Sequence, residues 1–319
     1  MTEITQKPSP TMEVAIIGSG MIAVSMAVLL SGNGVRTTLL ARSDESADRA
    51  SRQYNGYYTD LVGAGLLTDQ EADRCKPFFR ISQNWDDCSK ANLVIESVYE
   101  QLSAKHAVYR QIEAVCSRET IIASMTSGIE PDRLAEGLDS SDRLIVAHPF
   151  MPPHLVPCVE IVRSKATSDE TLERTVRFLE SVGRTVIILK KSVDGFIVNR
   201  LQYAMLREAI HLIELGVATA ADIDRTLLTS VGPRYSSIGL FEHMENAGLD
   251  LVESIQKYLN PTLCNDDSVQ ASLSEHVASG ELGSKTGKGY LDWSTIDLQD
   301  LRTRRSTPYY RFFNWKIPE

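Results

Sequence analysis

No run of apolar residues in this 319-residue chain approaches the ~20 that a membrane-spanning helix needs. The first residues, Met1 to Met12, are polar and carry one lysine. Without an apolar segment they are expected to be a frayed tail, not a signal peptide. Positive charge is short too. The 33 Lys and Arg face 42 Asp and Glu, a net charge of -9. That excess of acid argues against a nucleic-acid partner and against an anionic membrane surface. Cysteine is sparse: the five, at 75, 88, 116, 158 and 264, have no metal-like spacing. No metal site is expected, and the odd number reads as reduced thiols of a cytoplasmic protein. Internal repeats and low-complexity tracts are missing as well. What remains is a globular chain long enough for two domains with their own cores.

The stretch that organises the chain is Val14-Ala15-Ile16-Ile17-Gly18-Ser19-Gly20-Met21-Ile22-Ala23. Its apolar, mostly β-branched start reads as a buried strand. Gly18-x-Gly20-x-x-Ala23 then turns the chain into an apolar helix ended by Gly34, and a second strand follows over Val35 to Leu40. Gly18 permits the tight turn, Gly20 leaves room for a pyrophosphate, and Ala23 lets helix and strand pack closely. The helix N-terminus offers free N–H groups to the phosphates. Strand, glycine turn and helix together indicate a dinucleotide site. At the end of the second strand, enzymes that use NAD place an acid for the adenosine ribose. Here Ala41, Arg42 and Ser43 stand instead. A guanidinium suits a 2′-phosphate, which favours NADP over NAD as cofactor, with Ser43 or Asp44 left to serve NAD.

Further along, Ala47 to Leu61 is helical, and Thr68-x-x-Glu71 is a capping box opening another helix, so a helical hairpin is expected between strands. Strands are expected at Phe78 to Ile81, Leu93 to Val98, Ile121 to Ser124, Leu144 to Ala147, Val159 to Val162 and Thr185 to Leu189, with helices between most of them. Thr167-x-x-Glu170 is expected to cap the helix before the last strand. This alternation predicts a parallel, doubly wound sheet. From about residue 193 only helical spacing is found, as in Val198, Leu201, Met205, Ala209 and Leu212. The division expected is 1–192 for the α/β domain and 193–319 for an all-α one. The aromatic end, Tyr309 to Trp315, is expected to dock on a surface or on a partner chain.

His148 follows a buried strand at the edge where open α/β sheets bind ligands. Glu160 lies twelve residues on, in the next strand. A histidine backed by a carboxylate is a general acid/base with its ring held. With these residues in place, the chain resembles the 3-hydroxyacyl-CoA dehydrogenase family over nearly its whole length. The likeness is carried by the GxGxxA turn, the helical hairpin, Ser124-Met125-Thr126-Ser127, His148 to Glu160, Asp194-Gly195-Phe196-Ile197-Val198-Asn199-Arg200, and Lys285-Thr286-Gly287-Lys288-Gly289-Tyr290. His-Pro-x-x-Pro-Pro at 148–153, Asn199 to Ala204 and Gly232-Pro233-Arg234-Tyr235 are closer to the L-gulonate 3-dehydrogenase (lambda-crystallin) branch. L-Carnitine dehydrogenase carries a similar Gly-x-Arg-aromatic stretch.

The resemblance implies a Rossmann-type sheet with an inserted hairpin, an all-α C-terminal domain and a homodimer. It implies His148 as the base, Glu160 as its partner, and Ser127 and Asn199 on the substrate oxygen. Hydride would pass between the substrate's C3 and the nicotinamide. Gly18, Gly20, Met21, Ile22, Ala41, Arg42, Ser43, Glu100 and Lys105 would hold the cofactor. Arg234 would hold the carboxylate of a small 3-hydroxy acid, as its fork geometry allows. Met125 and Met151 depart from the family, which carries Asn at the second place and usually at the first. They either fill a gap together or line an altered, more apolar pocket. The hairpin region from Ser43 to Arg80 departs as well, with seven acids and five bases of which only Lys76 is lysine. A coenzyme-A phosphate would want more positive charge. The expectation is therefore a dehydrogenase for a small 3-hydroxy acid. A 3-hydroxyacyl-CoA dehydrogenase and a non-catalytic, crystallin-like cofactor binder stay open.

Overall fold

The computed structural model describes residues 12–318, so nearly all of the expected N-terminal tail lies outside the described residues. One eight-stranded sheet forms from β1 (Glu13–Ile17), β2 (Arg36–Leu40), β3 (Phe79–Ser82), β4 (Leu93–Glu96), β5 (Ile121–Ser124), β6 (Leu144–Pro149), β7 (Cys158–Val162) and β8 (Thr185–Ile188). The strand order is β3-β2-β1-β4-β5-β6-β7-β8. Side chains alternate between two cores. Val14, Ile16, Leu39, Leu93 and Ile95 fill one face, and Ala15, Ile17, Leu40 and Val94 the other.

Every pair in the sheet is parallel except β6 with β7. The wholly parallel sheet expected from the alternation is thus corrected at this hairpin. Residues 150–157 join β6 to β7 without a helix, and a connection that short cannot make a parallel crossover. The antiparallel return puts His148 directly opposite Glu160.

The helices of this part are α1 (Met21–Gly32), α2 (Asp44–Gly63), α3 (Asp69–Cys75), α4 (Leu102–Val115), α5 (Pro131–Ala135) and α6 (Asp169–Ser181). From Ala23 to Gly32 α1 is buried on all sides, as a helix apolar all round must be. The hairpin α2–α3 docks on it through Tyr54 and Tyr58, whose hydroxyls both meet Ser31 Oγ (2.8 and 3.0 Å). Burial pushes the Tyr54 hydroxyl up to about 12, so both phenols stay neutral. The capping box Thr68–Glu71 closes as expected. The α6 cap does not. Ser168, not Thr167, accepts from the Thr171 N–H, because the Thr167 hydroxyl is engaged with Ser164 and the Leu144 carbonyl.

The described residues form two compact units, one of residues 12–197 with 303–318 and one of residues 198–302. The second consists of α7 (Val198–Glu214), α8 (Ala220–Thr229), α9 (Val231–Tyr235), α10 (Leu240–Ala247), α11 (Leu249–Leu259), α12 (Ala271–Ala278) and the start of α13 (Leu298–Ser306). Among its described residues Ile210 and Cys264 are the only buried apolar side chains. Leu201, Tyr203, Leu215, Leu228, Phe241 and Tyr258 are all exposed.

The terminal segment, grouped by sequence with the helical domain, packs within the first unit. Trp315 is buried against Gly32 at the end of α1, where an added Cβ would strike its ring. Phe313 stacks beside it at 4.7 Å, and the Lys316 N–H donates to Asn33 Oδ1 (2.9 Å). Trp315→Ala is expected to lower the unfolding free energy by about 3–5 kcal/mol, the range for emptying a buried aromatic site. An unchanged urea or thermal midpoint would show that the segment contributes nothing to the fold.

Candidate active site

The turn between β1 and α1 builds one half of the site. Gly18 has φ +120°, and a Cβ there would collide with the Ser97 carbonyl at the end of β4. Only glycine fits. Gly20 has the opposite surroundings, since a Cβ there would meet nothing within 4 Å. It stands at the N-cap of α1, no side chain caps that helix, and its first turn holds no acid. Free N–H groups and open space together fit a pyrophosphate. Met21 is 63% exposed on the same turn, with Ile22 half-buried beside it. Ala41 is buried at the end of β2, its N–H donating to the Ser82 carbonyl (2.8 Å). Ser43 caps α2 by accepting from the Ser46 N–H. Arg42 is exposed and makes no ion pair among the described residues.

A second group sits past β4 and β5. Glu96, fully buried, accepts from Lys105 Nζ (2.9 Å), Tyr109 Oη (2.8 Å), Ser124 Oγ (2.7 Å) and the Val98 N–H (2.8 Å). A buried carboxylate is tolerable only when its lone pairs are filled in this way. Lys105 is itself 1% exposed and also pairs with Glu100 (3.1 Å). Glu100 accepts from the Ser127 N–H (3.0 Å) and from the Thr126 hydroxyl. Partial burial tends to raise its pKa, but the Thr126 hydroxyl, the Lys105 ammonium and the Ser127 N–H together hold it below the usual carboxylate range. Lys105, expected at the cofactor, thus lies within the protein with its ammonium on two carboxylates, while Ser127 is held at the exposed end of the chain of contacts.

The third group is the β6–β7 hairpin. His148 Nδ1 and Glu160 Oε2 lie 3.0 Å apart, both residues buried. The carboxylate can only accept, so Nδ1 carries the ring proton and Nε2 keeps its lone pair. Among the described residues Nε2 has no protein partner. The other Glu160 oxygen accepts from the Ile197 N–H (2.9 Å). That peptide is presented by an uncommon turn. Gly195 has φ +75° and Phe196 φ +53°, a left-handed conformation that costs a bulky residue about 1–2 kcal/mol. Burial of Phe196 offsets the cost, and its ring lies 5.5 Å from the His148 imidazole. Phe150 meets that imidazole edge-on at 4.6 Å. The ring is held by one carboxylate and two aromatics, and it can take a proton at Nε2.

Two expected residues belong to the other unit. Asn199 is half-buried in the first turn of α7. Arg234 is exposed on α9, its Nη1 2.9 Å from His243 Nε2. No carboxylate pairs with Arg234 among the described residues. Met125 is buried in the main core, whereas Met151 is 36% exposed and outside that cluster.

Family comparisons match both units. Residues 13–192 match the 3-hydroxyacyl-CoA dehydrogenase NAD binding domain, and residues 195–293 the 3-hydroxyacyl-CoA dehydrogenase C-terminal domain. The chain belongs to the 3-hydroxyacyl-CoA dehydrogenase family. Its cofactor is therefore a nicotinamide nucleotide, which agrees with the cradle at Gly18 and Gly20. L-Carnitine dehydrogenase of Oceanobacillus iheyensis is 33% identical over 74% of this chain and 76% of its own. Lambda-crystallin of Oryctolagus cuniculus is 30% identical over 73% of each chain. A solved 5-formyl-3-hydroxy-2-methylpyridine 4-carboxylic acid 5-dehydrogenase, an NAD+ dependent dismutase, superposes with a TM-score of 0.84 at 30% identity. The match covers 94% of this chain and 96% of that one. Among the described residues no helix is long and apolar enough to cross a membrane and no His, Cys, Asp and Glu cluster could hold a metal.

Glu96 and Tyr109 are not among the expected site residues, and Ser124, Thr126 and Phe196 enter there only within stretches that carry the family likeness. One signal was there to be used. An acid closing the apolar strand Leu93-Val94-Ile95-Glu96 must find buried partners.

Proposed function

We propose that this member of the family oxidises the 3-hydroxyl of a small hydroxy acid with a nicotinamide cofactor, and reduces the 3-oxo acid in the reverse direction. The observation that carries the proposal is the His148–Glu160 pair, which leaves the Nε2 lone pair for the substrate hydroxyl. His148 takes the hydroxyl proton, and Glu160 steadies the imidazolium that results. Ser127 and Asn199 orient the reacting oxygen. When bound, the cofactor supplies the hydride acceptor. Arg234 binds the carboxylate, a role supported by a guanidinium without an acid partner among the described residues.

A gulonate- or carnitine-like acid is favoured over an acyl-CoA ester by the hairpin. Of its five bases Arg49 pairs with Glu45, Lys76 with Asp73 and Arg80 with Asp87. Little uncompensated charge remains for a coenzyme-A phosphate. The test is formation of reduced cofactor, followed by absorbance, with free 3-hydroxy acids set beside the matching 3-hydroxyacyl-CoA esters. Turnover of a free acid supports the reading; a preference for the esters hands the site to the acyl-CoA reading.

The same proposal makes NADP the cofactor. Arg42 is exposed and makes no ion pair among the described residues where an acid would serve the ribose, and a guanidinium suits a 2′-phosphate. Fluorescence titration is expected to show tighter binding of NADPH than of NADH, and the reverse order would refute the assignment. The apolar side chains exposed on residues 198–302 support a homodimer. Sedimentation should report about twice the 35.4 kDa chain mass. Five free cysteines suit a reducing, cytoplasmic setting.

A further inference from the structure

His154 is buried, and the proton transfer proposed above does not use it. It lies in residues 150–157, the connection between the strand that carries His148 and the strand that carries Glu160. Its N–H donates to Ser25 Oγ (3.1 Å), and its Nδ1 lies 2.7 Å from the same oxygen. The hydroxyl makes no other hydrogen bond among the described residues, and it already accepts from the His154 N–H, so it donates to Nδ1 and leaves the ring proton on Nε2. Ser25 belongs to α1, one turn beyond Met21 at the dinucleotide cradle. The Tyr57 ring covers the imidazole at 4.6 Å. From the other side the buried Arg184 guanidinium donates to the carbonyls of Pro153 (3.0 Å) and Val156 (3.1 Å).

We propose that His154 is a positioning residue, whose paired hydrogen bonds to Ser25 set the His148 hairpin in register with the dinucleotide-binding helix. The inference rests on His148 being the base. Hydride and proton transfer require the nicotinamide, the substrate carbon and Nε2 to be aligned within a fraction of an ångström. The cofactor's phosphates are placed by the first turn of α1, and the base is placed by β6. The Ser25–His154 contact ties the two together by one short hydroxyl rather than through the sheet. Burial, with the Arg184 charge adding to it, pushes the His154 pKa down to about 3. The contact is therefore one neutral, fixed tautomer at ordinary pH.

The test uses the whole 319-residue chain. Only six histidines are present, so the ring signals of His148 can be followed by nitrogen-15 NMR with or without a known substrate. In Ser25→Ala and in His154→Ala the His148 ring signals are expected to broaden or split, while cofactor affinity stays within about threefold. With the best hydroxy acid kcat is expected to fall about tenfold or more in each. The double variant should be no worse than either single one, because both remove the same contact. His154→Asn keeps a polar atom near the Nδ1 position and should restore the single His148 signal. Ser25→Ala removes no packing volume from the loop, so it carries the test even if His154→Ala fails to fold. A merely structural histidine gives the other result: lower thermal stability with unchanged His148 signals in Ser25→Ala. That result would overturn the proposal whatever the substrate proves to be. Loss of turnover in His148→Gln tests the base itself and stays separate.

Discussion

His148→Gln is expected to lower turnover about a thousandfold, within the range that a positioned acid/base supplies. Glutamine fills much the same volume and keeps a polar amide near the Nε2 position, but it cannot take a proton there. The proposed cofactor site lies at the β1–α1 turn and the end of β2, away from His148, so cofactor affinity is expected to stay within about threefold. The loss should therefore fall on kcat and on kcat/KM alike, the pattern of an interaction made in the transition state. Initial rates over a substrate series, with cofactor titrated in parallel, check this. A variant that keeps more than about a tenth of the parent turnover would remove His148 from the chemistry.

Arg234→Leu is expected to lower kcat/KM on free acids by about two to three orders of magnitude. A carboxylate entering a site without its charged partner loses a bidentate, charge-assisted pair and leaves its own charge poorly solvated. Arg234→Lys keeps the charge without the planar fork and should fall between the two. The side chain is exposed and its guanidinium meets the His243 ring, so folding is expected to survive both changes. Cofactor affinity should be unaltered. Unchanged kinetics in Arg234→Leu would leave the Arg234–His243 contact as a surface feature only and remove the argument for a free acid.

Much of this architecture was legible because local chemistry and tertiary structure agree. All eight strands were visible as short apolar runs, and the Thr68–Glu71 box and Gly34 marked helix ends where they occur. The direction of β7 was not legible from alternation alone. It follows from the length of the 150–157 connection, which the strand and helix pattern does not weigh. The α6 cap was missed by one residue because two hydroxyls stand side by side, and the one already held by Ser164 cannot cap. The α9 turn was hidden by Pro233, which is tolerated early in a helix.

At the site the His148–Glu160 pair was legible as a spacing, and the sheet register turned it into a contact. The partners of Glu96 and the Ser25–His154 contact were not. Each joins residues remote in the chain, such as Ser25 and His154 at a separation of 129, and nothing local marks a buried hydroxyl as the partner of a distant ring. The packing of Trp315 on Gly32 is a long-range contact of the same sort. An aromatic terminal stretch signals that it will be covered without naming the surface.

Direct hydride transfer between C3 of a hydroxy acid and the nicotinamide, with the proton going to His148, is tested most sharply by the fate of deuterium placed on C3 of the best free acid in the substrate panel. One deuterium is expected on the nicotinamide ring of the reduced cofactor, with no exchange into solvent, and His148→Gln is expected to slow this transfer without changing its destination. Deuterium lost to water, or no reduction of cofactor by any free 3-hydroxy acid, would contradict it.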